Sequence, residues 1–215
     1  MHVEDALSTR YSARAFLPKQ VDRELIEAVI KAAMRTPSWA NTQPWELFVA
    51  SGESIERIRN GFAECYEKNQ APEFEIPRPL KWSEKAKSCT KELTTAQREG
   101  EYSEAFKQFF DLNCSFFNAP MVVYLCMDSI LGQWSLFDLG AFSQSFMLSA
   151  TEHGLQTVPA INLVMFPKII REELAVPEDQ KIVFGIACGY ADESHGVNVF
   201  RSSRRDFEDV VSFFD

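Results

Sequence analysis

Over residues 23–35 the apolar positions Leu25, Ile26, Val29, Ile30 and Ala33 recur every three to four residues. That spacing predicts an amphipathic helix opened by Asp22 and barred from continuing by Pro37. Residues 45–50 (Trp-Glu-Leu-Phe-Val-Ala) read as a strand ended by Ser51-Gly52. Ser54 is the expected cap of a second helix carrying Ile55, Ile58, Phe62 and Tyr66 at helical spacing. Pro72, Pro77 and Pro79 break regular structure over residues 69–81, which predicts a loop or mobile lid. Residues 83–98 are polar, the pattern of an exposed helix, and residues 103–117 read as one helix with an apolar side of Phe106, Phe109 and Phe110. The continuous apolar run 121–127 (Met-Val-Val-Tyr-Leu-Cys-Met) predicts a strand covered on both faces. Residues 133–153 are apolar on most sides, as for a helix central to the core or half-buried against a partner, and Gly154 is placed to end it. Strands are expected at 161–166 and 182–190, with a short helix opening at Pro167 between them. This order of elements points to a central sheet with helices around it, in the α+β class.

Composition narrows the function more than the fold. A chain of 215 residues is large enough to bury a core as one domain, 1–215, and no linker or repeat divides it. Eighteen Phe against nine Gly favours a helix-rich, aromatic core. A net charge of −9 argues against nucleic acid as a partner, because that binding depends on Lys and Arg neutralising phosphates. The five cysteines are scattered, with no Cys-x-x-Cys, which fits reduced thiols in a cytoplasmic protein; Cys126 and Cys188 lie in apolar runs and read as buried. The start, Met1-His2-Val3-Glu4-Asp5, is not that of a signal peptide, and no stretch has membrane-spanning length. His2, His153 and His195 have no metal-ligand spacing, so no metal is expected.

Four segments carry candidate chemistry. Arg10-Tyr11-Ser12-Ala13-Arg14 offers two guanidinium forks and a hydroxyl, donors suited to phosphate, although a solvated surface helix would read the same. Arg201-Ser202-Ser203-Arg204-Arg205 is alone a solvated basic turn; with the first cluster it could converge on one dianion. Neither has the GxxxxGK[ST] or GxGxxG pattern. Between them, Thr36-Pro37-Ser38-Trp39-Ala40-Asn41-Thr42-Gln43-Pro44-Trp45 mixes aromatic rings with amides and hydroxyls, a combination suited to a flat, polar-edged ring. Trp45 reads as core, and Ser38, Trp39 and Asn41 as ligand-facing. In Gly154-Leu155-Gln156-Thr157-Val158-Pro159-Ala160-Ile161, backbone groups could meet the edge of a heterocycle, although in isolation the segment reads as a plain helix-to-strand turn. Anion-binding and ring-binding segments in one chain imply a phosphorylated aromatic cofactor.

These segments, in this order, resemble the nitroreductase family of FMN-dependent oxidoreductases over nearly the whole chain. Asn113 with Phe116-Phe117-Asn118-Ala119-Pro120, then Asp138, Gly140, Gln144, and Gly189-Tyr190 extend the likeness. The resemblance implies a three-layer sandwich, a mostly antiparallel sheet flanked by helices, in an interlocked homodimer with FMN at the subunit interface. It implies phosphate and ribityl contacts from Arg10, Tyr11, Ser12 and Arg204, assisted by Arg201, and a cation, Arg14, near the flavin pyrimidine. Pro37, Ser38, Trp39 and Asn41 match the loop that closes over FMN from the other subunit, and Asn113 a further flavin contact. Pro159, Ala160 and Ile161 match the strand facing the isoalloxazine, with the Ile161 N–H directed at N5. The apolar tail of Phe207, Val210, Val211, Phe213 and Phe214 suits a segment that reaches across the partner. NADH or NADPH is the implied donor, nitroaromatic or quinone-type compounds the acceptors, and no side chain need act as acid or base. Two departures stand out: Trp39 replaces a residue that is often small, and residues 65–113 form a longer helical or lid excursion, in which Phe74, Arg78 and Trp82 are candidate acceptor contacts. A reductive dehalogenase, a flavin-fragmenting relative and a flavin-storage protein are the alternatives on this fold.

Overall fold

The computed structural model describes residues 2–99 and 102–214; the ends of the expected 1–215 domain, and Gly100 and Glu101 of the expected 65–113 excursion, lie outside the described residues. Four strands, β1 (Glu46–Ser51), β2 (Met121–Asp128), β3 (Gln156–Ala160) and β4 (Gln180–Gly189), form an antiparallel sheet in the order β1-β2-β4-β3. Eight helices are described around it: α1 (Val3–Thr9), α2 (Arg23–Ala33), α3 (Glu53–Glu67), α4 (Glu84–Arg98), α5 (Ser103–Phe106), α6 (Phe109–Cys114), α7 (Gln133–Glu152) and α8 (Pro167–Leu174). The class is α+β, as expected.

The apolar run of β2 is continuous because the sheet is covered on both sides. Val122, Tyr124 and Cys126 join one core with Ile55, Ile58 and Phe62 of α3 and Ile170 of α8. Met121, Val123, Leu125 and Met127 join the other with Val29 and Ala33 of α2 and Leu139, Phe142 and Phe146 of α7. Each of the larger fully buried side chains contributes about 1.5–3 kcal/mol by leaving water. Trp45 is core, stacked on Phe142 at 5.0 Å. Among the described residues no helix is long and apolar enough to cross a membrane.

Several sequence expectations need correction. The first long helix stops at Ala33, and Asp22 occupies its N-cap position without a side-chain bond. The next opens one residue before Ser54, whose hydroxyl bonds the Ser51 backbone instead of capping it. Residues 103–117 are two short helices and a turn, because Phe116, Phe117 and Asn118 take positive φ of 55°, 59° and 57°. Left-handed backbone costs a residue with a Cβ about 1–2 kcal/mol. Here the cost is offset by burial of both rings and by the Phe16 N–H donating to the Phe117 carbonyl at 3.2 Å. Phe110, assigned to the apolar side, is 72 % exposed. Residues 161–166 are not a strand: Ile161–Val164 is a 3₁₀ turn after β3. Gly185 permits it, since a Cβ there would meet Leu163 Cβ at 2.6 Å. Nor is the proline loop free: Glu75 accepts from Arg171 and from the Ile182 N–H, each at 2.6 Å.

Candidate functional site

Residues 10–16 do not continue α1 but run extended beside the sheet. Ser12 bridges Thr157 in parallel at the β3 edge, and the Ala13 N–H donates to the Thr157 carbonyl at 3.1 Å. The Leu17 N–H donates to the Tyr190 carbonyl at 2.8 Å, tying the segment to the chain leaving β4. One buried side chain joins the two arginine segments. Asn198 accepts from the Arg14 N–H at 2.7 Å and donates to the carbonyls of Ala15 and Asp192 at 2.7 and 2.8 Å. Its own carbonyl accepts from Arg201 at 2.7 Å. Sequence reasoning missed Asn198, which between Val197 and Val199 looks like an ordinary turn residue.

The result is a cavity of about 310 Å³ lined by Arg10, Tyr11, Ser12 and Arg14 from one end of the chain and Arg201, Ser202 and Arg204 from the other. Leu7, Ser8 and Phe200 complete the wall. The convergence expected of the two clusters is therefore present, and the reading of Arg10–Arg14 as a solvated helix is not. The Arg201 guanidinium lies 3.7 Å over the Tyr11 ring, which fixes both groups. Arg204 folds back on its own loop, donating to Ser202 Oγ at 2.8 Å and the Ser203 carbonyl at 2.8 Å. Among the described residues none of these four arginines forms a salt bridge with a carboxylate. Burial, then the Arg204 charge, pulls Arg10 below the ordinary arginine value; burial, then Arg10, does the same to Arg14. Burial raises Tyr11 above the ordinary phenol value, against the opposing charge of Arg201. Like charges crowded in a part-buried pocket favour an anion between them.

The other expected site residues lie elsewhere. Pro37, Ser38 and Trp39 border a separate hollow of about 260 Å³ with Trp134, Phe137 and Asp138 of α7. The buried Asp138 carboxylate accepts from the Trp39 N–H at 3.2 Å, while the Trp39 ring is 67 % exposed. Ser38 Oγ accepts from the Gln43 N–H at 2.9 Å, and Ala40, Asn41 and Gln43 have φ of 49°, 56° and 45°. The loop is thus held in a strained form, with Asn41 exposed. Its hollow shares no lining residue with the arginine cavity.

Asn113 lines a third cavity, about 510 Å³, with Phe106, Phe109, Phe110, Asn162 and Met165 among its walls. Arg14 lies 5.9 Å over the Phe109 ring, so a wall of this cavity touches a wall of the arginine cavity there. Asn162 Nδ2 donates to the Asn113 carbonyl at 2.7 Å, which anchors the turn after β3. Pro159 and Ala160 pair with Ile186 and Gly185. Ile161, 45 % exposed, opens the turn, where its N–H has no intrahelical acceptor. Phe74 and Arg78 face a small hollow of about 140 Å³ beside Ile161, and Trp82 lies apart, against α4.

The sequence model of the nitroreductase family matches residues 7–190. The chain belongs to the nitroreductase family. Among relatives, it is 31 % identical to a chloronitrobenzene nitroreductase of Comamonas testosteroni over 98 % of this chain and 96 % of that protein. It is 32 % identical to a 4-nitrobenzoate reductase of Pseudomonas putida, over 96 % and 93 %. Its fold superposes on the FMN- and NADPH-dependent nitroreductase NfnB of a Sphigopyxis strain with a TM-score of 0.91, at 29 % identity and full coverage of both chains. NfnB of Mycobacterium smegmatis, solved with NADPH, gives 0.90 at 25 % identity, covering 99 % and 97 %. The nitroreductase match includes the first arginine cluster but ends before the second, so the cavity joins matched to unmatched chain.

Proposed function

We propose that the protein is an FMN-dependent oxidoreductase that takes reducing equivalents from NADPH or NADH and passes them to nitroaromatic or quinone-type acceptors. The observation that carries this is the convergence of Arg10, Arg14, Arg201 and Arg204 on one cavity without a carboxylate partner. Relatives named as reductases of chloronitrobenzene and 4-nitrobenzoate support the acceptor class, and the NfnB structures support the cofactor and donor.

The residues fit FMN on the chemistry of their donors. Four guanidinium groups and the Ser12 and Ser202 hydroxyls match a phosphate dianion, and the Tyr11 ring, fixed by Arg201, gives the ribityl side an apolar wall. Bound there, FMN supplies the hydride chemistry between nicotinamide and acceptor. Arg10, Ser12 and Arg204, assisted by Arg201, hold the phosphate. Arg14, half-buried, would keep a positive charge near the pyrimidine, which favours reduction. Asn113, Pro159, Ala160 and Ile161 face the ring, the last through its N–H. No side chain is assigned the role of acid or base.

The working unit in this reading is a cytoplasmic homodimer, a compartment that five free thiols suit. Pro37, Ser38, Trp39 and Asn41 close over the cofactor bound by the partner subunit, and the exposed Trp134, Phe137 and apolar tail are covered in the dimer. The test begins with the purified protein. Its chromophore is released and weighed, then the holoprotein is mixed anaerobically with NADPH or NADH and reoxidised with 4-nitrobenzoate. Bleaching followed by recovery of colour is expected. A protein without flavin would overturn the cofactor assignment, and a flavin that neither donor bleaches would favour storage.

A further inference from the structure

We propose that α4 is the docking rail of the electron donor and that its lysines select NADPH over NADH. This rests on the flavoenzyme reading above and adds a subsite distant from the flavin. α4 is a 15-residue helix with no buried residue, so core packing does not account for its sequence. Its side chains line two cavities that share Thr94. One is the aromatic-walled cavity of about 510 Å³ that contains Asn113 and meets Arg14 through Phe109. The other, about 300 Å³, is bounded by Trp82, Lys87, Thr90 and Lys91.

Positions 87, 91, 94 and 98 follow one another by four, three and four residues, so they form one face of the helix. That face carries Lys87, Lys91 and Arg98, and no acidic side chain lines either cavity. Glu92 is turned away, accepting from Ser203 Oγ at 2.6 Å. Lys87 is held by Glu84 at 2.7 Å, an exposed pair of a kind worth little and readily exchanged for a phosphate. Lys91 and Arg98 have no salt-bridge partner among the described residues. Glu84 is the one acid at the start of this face; the charged side chains that line the two cavities are all cationic, which stands out in a chain of net charge −9.

From Lys87 to Arg98 the rail runs roughly 16 Å at about 1.5 Å per residue. That is far longer than a single-ring acceptor but suits an extended dinucleotide. At one end are the aromatic walls for the nicotinamide, and at the other Trp82, 56 % exposed, offers a face to the adenine. Lys87 and Lys91 stand beside Trp82, where the 2′-phosphate that distinguishes NADPH would lie.

The test titrates the oxidised holoenzyme with NADP⁺ and NAD⁺ and measures kcat/KM with both reduced donors. Lys91→Glu should weaken NADP⁺ by about tenfold, the effect of reversing one charge beside a dianion, and NAD⁺ by far less. Trp82→Ala should weaken both dinucleotides alike, roughly tenfold, through lost base stacking. Lys85→Glu, an exposed charge on α4 that lines neither cavity, is the control and should change neither. Equal loss for NADP⁺ and NAD⁺ in Lys91→Glu, no loss in either, or the same selective loss in Lys85→Glu overturns the proposal. So does a rise in KM for 4-nitrobenzoate but not nitrobenzene, which would assign the cations to the acceptor. FMN content and acceptor reduction driven by dithionite are measured alongside. Their absence in the unsubstituted protein would condemn the flavoenzyme reading itself, whereas their retention isolates the rail.

Discussion

The arginine cavity and the hollow around Trp39 are both bound tightly by their own chain, yet they present opposite surfaces. In the first, Asn198 joins segments 184 residues apart, and the walls carry four arginines without a salt-bridge partner among the described residues. In the second, Asp138 and Ser38 fix a strained backbone whose aromatic surface, Trp39, Trp134 and Phe137, points into solvent. A pocket of unpaired charge is completed by a small anion. A rigid, exposed aromatic patch is completed by protein. In the proposed reading, the difference separates what one chain would do alone, gripping a phosphate, from what it would offer to another copy.

The largest expected effect strikes the first region. Arg10→Glu or Arg204→Glu removes a charge-assisted phosphate contact of about 1.5–3 kcal/mol and adds repulsion. FMN affinity should fall ~100-fold or more, giving colourless protein on purification, while the dimer persists on size-exclusion chromatography. Trp134→Asp combined with Phe137→Asp strikes the second region. Monomers should replace dimers at micromolar concentration, with weaker flavin retention as a consequence. Dimers that survive with full flavin would show that the hollow is not the interface. A smaller effect is expected at the clamp: Asn198→Ala leaves buried partners unpaired and should cost about 1–3 kcal/mol in urea unfolding. It should also loosen FMN without altering oligomeric state, which places it with the first region.

Legibility in the sequence followed the same division. The run 121–127 announced β2 because a strand covered on both faces needs no polar position, and the two arginine clusters stood out against an acidic chain. What failed were features set by contacts distant in sequence. Ile161-Asn162-Leu163-Val164 has the composition of a strand, but Gly185 lets Leu163 press onto β4 and Asn162 is tied to Asn113, so the chain turns. Nothing between 103 and 117 marks a helix break; the left-handed Phe116 and Phe117 are imposed by burial against the core. The proline loop reads as mobile, because its anchors lie far off in the sequence: the Glu73 N–H donates to the Met165 carbonyl, and Glu75 accepts from Arg171, 96 residues away, and from the Ile182 N–H. Asn198 left no trace in the pattern for the same reason.

The smallest effect checks that the sheet beneath both regions stays closed when either is altered. Burial pushes the thiols of Cys126, on β2, and Cys188, on β4, up to about 12. Both therefore remain neutral in the fold while an unfolded chain ionises them near the ordinary thiol value of about 8.5. Their contribution is fully present below that value and is lost as pH rises toward about 12. Thermal stability should accordingly decline above about pH 9, in the alkaline direction only for these groups. At neutral pH a thiol reagent should react quickly with the exposed Cys89, slowly with Cys114, and with Cys65, Cys126 and Cys188 only on unfolding. The Arg10 and Trp134 variants should keep that pattern. Rapid reaction of Cys126 or Cys188 in either would mean that the substitution had opened the core, and its loss of flavin or of dimer would then reflect unfolding instead of a broken site.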